Sequence, residues 1–231
     1  MDEIDNAPEI FQFHFLLRGI NPPVWRRVLI RSDDTIADLH YILQIVFRWT
    51  DSHLHRFVIR GNEYGLGRSG CTAFRTDARQ IRLADFHFRP NARFLYEYDF
   101  RDLWQHQIRL EAVTRAQAGR IYPVCIAGAR AAPPEDCGGP WAYMGMMDHQ
   151  ELDLPWDALE RIDNVLQRVV NAKGHEKAGD VLGDLGALHE AIERVKAHTA
   201  FRPDRFERRP VNQRLRQYAE GNVAWRQEWE E

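Results

Sequence analysis

Hydrophobic and polar residues alternate at the start of the chain. From Ile10 to Leu17 the phenylalanines and a leucine fall on every second position, a period that is typical of a strand with one buried face. Val24–Ile30 also has strand character, and a segment rich in Gly, Asn and Pro at residues 19–23 separates the two. We therefore predict that the fold opens with a β-hairpin.

The period of the pattern changes after residue 35. Apolar residues at helical spacing predict a helix from Ile36 to about Arg48, and Thr35 with Asp38 predicts a capping box at its start. Strand periods return at residues 54–60 and in a second predicted hairpin made by residues 93–100 and 104–113. Two amphipathic helices are predicted later, one from Pro155 to a stop at Gly174 and one between Val181 and Val195.

This order of elements predicts an α+β fold. We expect an antiparallel or mixed sheet with one main helix packed on a face, followed by C-terminal helices. The opening order of hairpin, helix and strand is similar to a β-grasp by analogy. The predicted organisation is a disordered N-terminus at 1–9, an α+β domain at 10–147, a helical extension packed on that domain at 148–217, and a polar tail at 218–231.

Composition limits the classes of function. The 231 residues carry a net charge of −3, so no global positive field attracts the protein to nucleic acid or to an anionic membrane. No apolar run is long enough to span a bilayer, and residues 1–9 lack the apolar core of a signal peptide. Three cysteines in a chain of this length argue against a disulfide scaffold. We expect a cytoplasmic protein with no membrane partner.

Most of the candidate chemistry lies in Trp49–Phe57 and Asp102–His106. Alternate residues of a strand share a face, which would group the polar side chains of each stretch. The predicted polar cluster contains Asp51, His53, His55, Asp102, Trp104, His106 and, from a later loop, Asp136. Imidazole, carboxylate and thiolate are zinc ligands, so the candidate metal ligands are His53, His55, His106 and Cys137, with zinc as the candidate cofactor. Alternatively, these side chains are buried hydrogen-bond partners that lock the sheet.

Two spatial predictions follow from these stretches. We expect Trp49–Phe57 to meet Asp102–His106, with His53 or His55 beside Trp104 or His106, because buried polar groups need partners. Arg120–Trp141 is rich in Pro and Gly and is interpreted as an ordered irregular loop. Within it, we expect Cys125–Gly139 to pack over the sheet beside the histidines. Glu135 and Asp136 should accept hydrogen bonds from backbone amides or from Arg130, and at least one of them should be substantially buried.

A basic segment lies near the C-terminus. Basic residues outnumber acidic ones between residues 194 and 216, but no aromatic stacking platform is interleaved with them. A solvated helix face is the simpler interpretation of such a run. Nucleic-acid binding is the alternative, through Arg202, Arg205, Arg208, Arg209, Arg214 and Arg216.

Several short motifs occur in a fixed order along the chain. They are residues 19–27 (GINPPVWRR), 37–40 (ADLH), 49–57, 96–100 (YEYDF), 102–106, 122–128 and 133–139 (PPEDCGG). Together they resemble the plasmid pRiA4b open-reading-frame-3-like family, whose relatives also occur as passengers of insertion elements. The resemblance covers about 10–143 and returns at 206–215. It implies a cytoplasmic α+β domain of bacteria and archaea, with no established activity. Ala132 departs from the pattern, since many relatives carry a cysteine there.

Two functional hypotheses remain open. The first is a non-enzymatic interaction or accessory module associated with plasmids or mobile elements, with a protein as its partner. The chain has no recognisable nucleophile elbow or phosphate loop, which favours this hypothesis. The alternative is a zinc-dependent hydrolase or nuclease-like enzyme that uses His53, His55 and His106, with Asp51 or Asp102 as a base or an orienting carboxylate.

Overall fold

One antiparallel sheet organises the fold. The computed structural model describes residues 8–67, 74, 76–152, 155–172, 182–200 and 202–226. Within these residues the strands are β1 (Glu9–Leu17), β2 (Trp25–Arg31), β3 (His55–Ile59), β4 (Asn62–Tyr64), β5 (Arg93–Tyr98), β6 (Trp104–Arg115) and β7 (Val124–Ala129). They lie in the order β4–β3–β5–β6–β1–β2–β7, and every pairing is antiparallel. The predicted α+β class is confirmed. The β-grasp analogy holds only for the order of the opening elements.

Helix α1 (Ile36–Phe47) supplies the main cover of one sheet face. Its capping box forms as predicted: the Thr35 hydroxyl accepts from the Asp38 amide at 3.1 Å, and the Asp38 carboxylate accepts from the Thr35 amide at 2.7 Å. Arg48 ends the helix in a left-handed conformation. The phenylalanines of β1 and the apolar residues of α1 are buried in a common core.

The opposite face of the sheet is polar and partly exposed. Glu111 on β6 accepts hydrogen bonds from Gln12, Arg27 and Arg109. The bond from Arg27 is the main reason that the pKa of Glu111 falls to about 2. The alternation of β1 therefore separates an aromatic face from a face of paired charges, as its period predicts.

Strand β7 corrects the prediction that Arg120–Trp141 is irregular throughout. Val124–Ala129 pairs with β2 at the edge of the sheet. Its alternation is short, and it is followed by small residues, so it gives a weak strand signal. The Asn212 side chain accepts from the Cys125 amide at 2.8 Å and donates to the Cys125 carbonyl at 2.9 Å. The helix that carries Asn212 thus covers an edge that would otherwise expose unpaired backbone groups.

The remaining described helices are α2 (Gly139–Leu152), α3 (Trp156–Asn171), α4 (Leu185–Ala200) and α5 (Arg208–Ala219), with short 3-10 turns at Ala78–Gln80, Leu83–Phe86 and Val223–Arg226. The chain divides into two compact units. The first contains Met1–Met144 and Pro203–Glu230, and the second contains Gly145–Arg202. The predicted helix stop at Gly174, most of the predicted disordered N-terminus and the end of the tail lie outside the described residues. No helix among the described residues is both long and apolar enough to cross a bilayer.

Candidate functional site

Trp49 joins the two stretches that the sequence singled out. Its ring lies 5.0 Å from Tyr98, 6.0 Å from Trp104 and 5.2 Å from His106, measured between ring centroids. Its indole nitrogen donates to the Pro133 carbonyl at 2.9 Å, which ties the later loop to the same place. The predicted meeting of Trp49–Phe57 with Asp102–His106 is therefore confirmed, but it is made through Trp49. His53 and His55 pack instead on tyrosines of β5.

The backbone after α1 separates the polar residues that strand alternation would have grouped. Asp51 has a left-handed φ of 59° and lies in the turn after α1. His53 precedes β3, which begins at His55. The strand rule thus does not apply to Asp51 and His53, and the two enter different groups of side chains.

The first group is a closed ring of hydrogen bonds. The Asp51 amide donates to Gln44 Oε1 at 3.0 Å, and Gln44 Nε2 donates to the Tyr96 hydroxyl at 2.9 Å. The hydroxyl then donates to His40 Nδ1 at 2.9 Å, and His40 Nε2 donates to the Asp51 carboxylate at 2.9 Å. Burial is the main cause of the raised pKa of Tyr96, which keeps the hydroxyl protonated and able to donate. His40 thus uses both ring nitrogens inside the fold.

His55 completes this first group from β3. Its ring stacks on that of His40 with centroids 3.5 Å apart, and its Nε2 accepts from the Leu66 amide at 3.3 Å. His40 did not enter the predicted cluster, because its position on α1 gave it the pattern of a helix residue. The one signal for it was its place in the Ala-Asp-Leu-His motif at residues 37–40.

A carboxylate on the later loop fixes that loop against the turn after α1. Glu135 accepts from the Thr50 amide at 2.9 Å and from the Thr50 hydroxyl at 2.7 Å. It also accepts from the hydroxyls of Ser52 and Tyr98. Burial and the bond to Glu135 raise the pKa of Tyr98. The predicted bond from Glu135 to a backbone amide is confirmed, but Glu135 is only half-buried and Asp136 is exposed.

The second group contains His53, Asp99 and Asp136. His53 Nδ1 lies 3.8 Å from Asp99 Oδ2, and His53 Nε2 lies 3.3 Å from Asp136 Oδ1. Asp99 is buried directly after β5, whereas Asp136 lies on the exposed side of the loop. This group lies next to the Glu135 bonds, because Glu135 and Asp136 are adjacent in the chain.

His106 and Trp104 belong to the interior of the sheet unit. Both side chains are fully buried, and burial lowers the pKa of His106 to about 3. His106 is therefore a neutral ring, with Phe47 and Trp49 against its faces and edges. Within the described residues, neither its ring nitrogens nor Trp104 Nε1 have a well-formed hydrogen bond.

Asp102 holds the end of the loop beside Cys137. Asp102 accepts from the Gly138 amide at 3.0 Å. Gly139 has a φ of 80°, and a β-carbon there would lie 2.6 Å from the Asp102 carbonyl oxygen, so only glycine fits. Burial first, and then Asp102, raise the pKa of Cys137, which favours the protonated thiol.

The structure does not bring the four predicted zinc ligands to one point. Among the described residues, His53 and His55 belong to two different groups of potential ligands, and neither group includes His106 or Cys137. The physical reason is that β3 starts only at His55, which directs the two histidines to different tyrosines.

Several arginines of the basic segment make contacts inside the protein. Arg205 pairs with Glu207 at 3.0 Å, Arg208 donates to the Ile126 carbonyl, and Arg214 donates to the Trp225 carbonyl at 3.1 Å. Arg209 and Arg216 on α5 are exposed. Three guanidinium groups of the segment are thus paired with groups of the protein, although Arg205 and Arg208 remain exposed.

Comparison with known proteins decides the family. The sequence profile of the plasmid pRiA4b ORF-3-like protein family matches residues 9–157. The chain belongs to this family. The match includes β1 to β7 and every residue of the two polar groups. The matched segment also includes the place where Trp49, the end of β5 and the loop at 133–139 meet.

Two relatives extend this comparison. The chain is 36% identical over 128 residues to a protein named "Uncharacterized protein y4hQ" from Sinorhizobium fredii, a match that covers 55% of this chain and 66% of the relative. It thus spans just under two thirds of that relative's length. It is also similar to the crystal structure of "Protein of Unknown Function MM3350" from Methanosarcina mazei Go1, with a TM-score of 0.61 and 28% identity. That similarity covers 89% of this chain and 98% of the archaeal one.

Proposed function

We propose that this protein is a cytoplasmic, non-enzymatic protein-interaction module, accessory to plasmids or other mobile elements. The observation that carries the proposal is an apolar strip on α3. Trp156, Leu166 and Val170 are 66%, 56% and 81% exposed. Large apolar side chains grouped at the surface are typical of protein-binding sites.

The strip is part of an amphipathic face that α4 covers incompletely. Ala158 and Val165 are buried, and Asp157 pairs with Arg194 of α4 at 2.5 Å, which holds the two helices together. Leu166 and Val170 are four residues apart and lie side by side on the uncovered flank. Glu160 lies beside the strip, and Asp163 lies between Trp156 and Val170 along the same line of the helix. We infer a protein partner that offers an apolar surface with basic residues at its edge.

The motif side chains support the same proposal. In the first group His40 is hydrogen-bonded to Asp51 and stacked on His55, and Glu135 makes three hydrogen bonds to two residues of the turn after α1, Thr50 and Ser52. Such networks stabilise a rigid fold. The alternative zinc hydrolase receives less support, because its three predicted histidines do not converge. Nucleic-acid binding through the basic segment is also the weaker proposal, since Arg205, Arg208 and Arg214 are each bonded to other groups of the protein.

A matched pair of variants tests the interaction. Leu166→Glu with Val170→Glu places two charges on the apolar strip, and Asn164→Glu with Asn171→Glu places the same charges on the polar face of α3. A partner is first captured from the native host, then purified and titrated against each protein by isothermal calorimetry. We expect saturable binding to the wild type and to the polar-face variant, and at least a tenfold loss for the strip variant. Equal binding by both variants would contradict the proposal, and so would the capture of chaperones alone. A dimer detected by light scattering would show that a second copy of the chain occupies the strip, which would also contradict it.

A further inference from the structure

We propose that His53, Asp99 and Asp136 form a binding site for a single divalent transition-metal ion. Each residue offers one ligand atom, and these atoms all lie within 4.8 Å of one another. One imidazole nitrogen with two carboxylate oxygens is a donor set that suits ions such as Zn²⁺ or Mn²⁺. The site shares only His53 with the ligands predicted from the sequence, and it does not depend on the interaction proposed for α3.

Asp99 gives the first argument. Its residue is 3% exposed, so its carboxylate is in the interior. Oδ1 accepts from the Arg101 amide at 3.0 Å, whereas Oδ2 lies 3.8 Å from His53 Nδ1, beyond hydrogen-bond distance. A buried carboxylate needs a cation or further donors, and a metal ion held with His53 would supply the charge.

His53 gives the second, independent argument. Its Nε2 atom is buried and makes no hydrogen bond among the described residues, although Asp136 Oδ1 is only 3.3 Å away. One ion binds only one nitrogen of an imidazole, and we assign Nε2 to this role, because a separation near 3 Å from Asp136 Oδ1 is what two donors at about 2.0–2.2 Å from one ion would have. The Asp136 side chain is 65% exposed, so one side of the site opens to solvent. Water molecules can complete the coordination there, and the ion can enter.

The site is held from both sides by well-bonded backbone. Glu135 binds Thr50 and Ser52 next to His53 and positions Asp136, its neighbour in the chain. Asp99 and Asp136 both have left-handed φ angles, 54° and 58°. Aspartate and asparagine tolerate this conformation better than most residues, so Asp→Asn substitution removes a ligand charge without disturbing the turn. The first group is not an equivalent site, because both nitrogens of His40 already make hydrogen bonds, to Tyr96 and to Asp51.

Calorimetric titration of ZnCl₂ into tag-free, full-length protein that has been dialysed against EDTA tests the site. We expect one equivalent to bind with a dissociation constant in the micromolar range. His53→Gln, Asp99→Asn and Asp136→Asn should each weaken binding at least tenfold. The matched controls are His189→Gln and Asp148→Asn, which change an exposed imidazole and an exposed carboxylate elsewhere and should bind as the wild type does.

A thermal melt in EDTA checks that each variant folds, and saturating Zn²⁺ should raise the melting temperature of the wild type and of the two controls only. Asp136→Asn alters an exposed side chain, so it remains informative even if Asp99→Asn folds poorly. Absence of saturable binding by the wild type would overturn the proposal. Binding that persists in the His53→Gln/Asp136→Asn double variant would overturn it too, and would leave His53 as a structural bridge between two carboxylates.

Discussion

The Arg26 guanidinium lies 3.8 Å from the centre of the Phe206 ring, which brings the C-terminal part of the chain onto the second strand. Arg26 is buried, and it donates to the carbonyls of Val46 and Ala129 at 2.9 Å each. Burial is the main cause that lowers the pKa of Arg26, to about 9. One side chain thus joins α1, β7 and the segment before α5.

Removal of the Phe206 ring should destabilise the sheet unit. Phe206 is half-buried, so we expect Phe206→Ala to lower the free energy of unfolding by about 2–3 kcal/mol, somewhat below the cost for a fully buried phenylalanine. Phe206→Leu keeps apolar volume and loses the ring over the guanidinium, so it should cost only about 1 kcal/mol. Urea denaturation of both variants gives the comparison. A Phe206→Leu variant as stable as the wild type would show that the ring over Arg26 has no special role, and equal costs for the two variants would contradict a contribution from apolar volume.

Gly128 provides a double-variant check on the same contact. A β-carbon at Gly128 would lie 2.5 Å from Phe206 Cε1, a distance that side chains do not tolerate. Gly128→Ala should therefore destabilise the wild type by about 1–3 kcal/mol, the usual cost of overpacking. In the Phe206→Ala background the cost should be clearly smaller. If the two effects simply add, the packing of Phe206 on Gly128 is not the reason for the glycine.

The Glu135 carboxylate should matter for stability, and its neighbour should not. Glu135→Gln leaves the Thr50 amide and the Tyr98 hydroxyl facing an amide group, and we expect a loss of about 1–3 kcal/mol. Asp136→Asn changes an exposed side chain and should alter stability by less than about 0.5 kcal/mol in the absence of metal. Chemical denaturation in EDTA measures both. A larger effect at Asp136 than at Glu135 would contradict this assignment.

Glu135 and Asp136 mark the limit of what could be predicted from the sequence. Periodicity predicted α1 and the first hairpin, because each has a strong apolar face, and the capping residues predicted the start of α1. The rule that alternate strand residues share a face failed at Asp51 and His53, because Asp51 is left-handed and β3 begins only at His55. No local pattern distinguishes Glu135 from Asp136. Their roles depend on which carboxylate reaches Thr50, a contact between residues 85 positions apart.

Asp33 and Asp34 should respond to pH in opposite directions. Burial, and then Asp38, raise the pKa of Asp34 to about 7. A folded-state pKa above the unfolded value means that Asp34 favours folding below about pH 4 and that this contribution is lost as the pH rises towards 7. The hydrogen bond from Arg31 is the main cause that lowers the pKa of Asp33, so its contribution is present above pH 4 and is lost as the pH falls.

Two asparagine variants test these signs. Relative to the wild type, Asp34→Asn should raise the melting temperature at pH 8 and have little effect at pH 4, because the wild-type carboxyl is then protonated. Asp33→Asn should lower it at pH 8 and have a smaller effect as the pH falls below 4. Melting curves at half-unit pH steps, with the wild type measured at each step, give the differences. Parallel shifts of both variants at every pH would contradict the assignment of charge to either residue.

The closed ring around Tyr96 allows the most direct test of a structural role for the motif residues. The Tyr96 hydroxyl accepts from Gln44 and donates to His40, so Tyr96→Phe leaves a buried amide and a buried imidazole nitrogen without this partner. We expect a loss of about 1–3 kcal/mol in unfolding free energy, the cost of unsatisfied buried groups. Tyr122→Phe is the matched control: the Tyr122 hydroxyl accepts from an exposed Gln117 amide, and its removal should cost less than about 0.5 kcal/mol.

A second variant, Gln44→Leu, should be less harmful in the Tyr96→Phe background than alone, because the ring of hydrogen bonds is already broken there. If instead Tyr96→Phe were as stable as the wild type, the group of His40, Asp51 and His55 would not be required for folding, and its hydrogen bonds would point to a binding role.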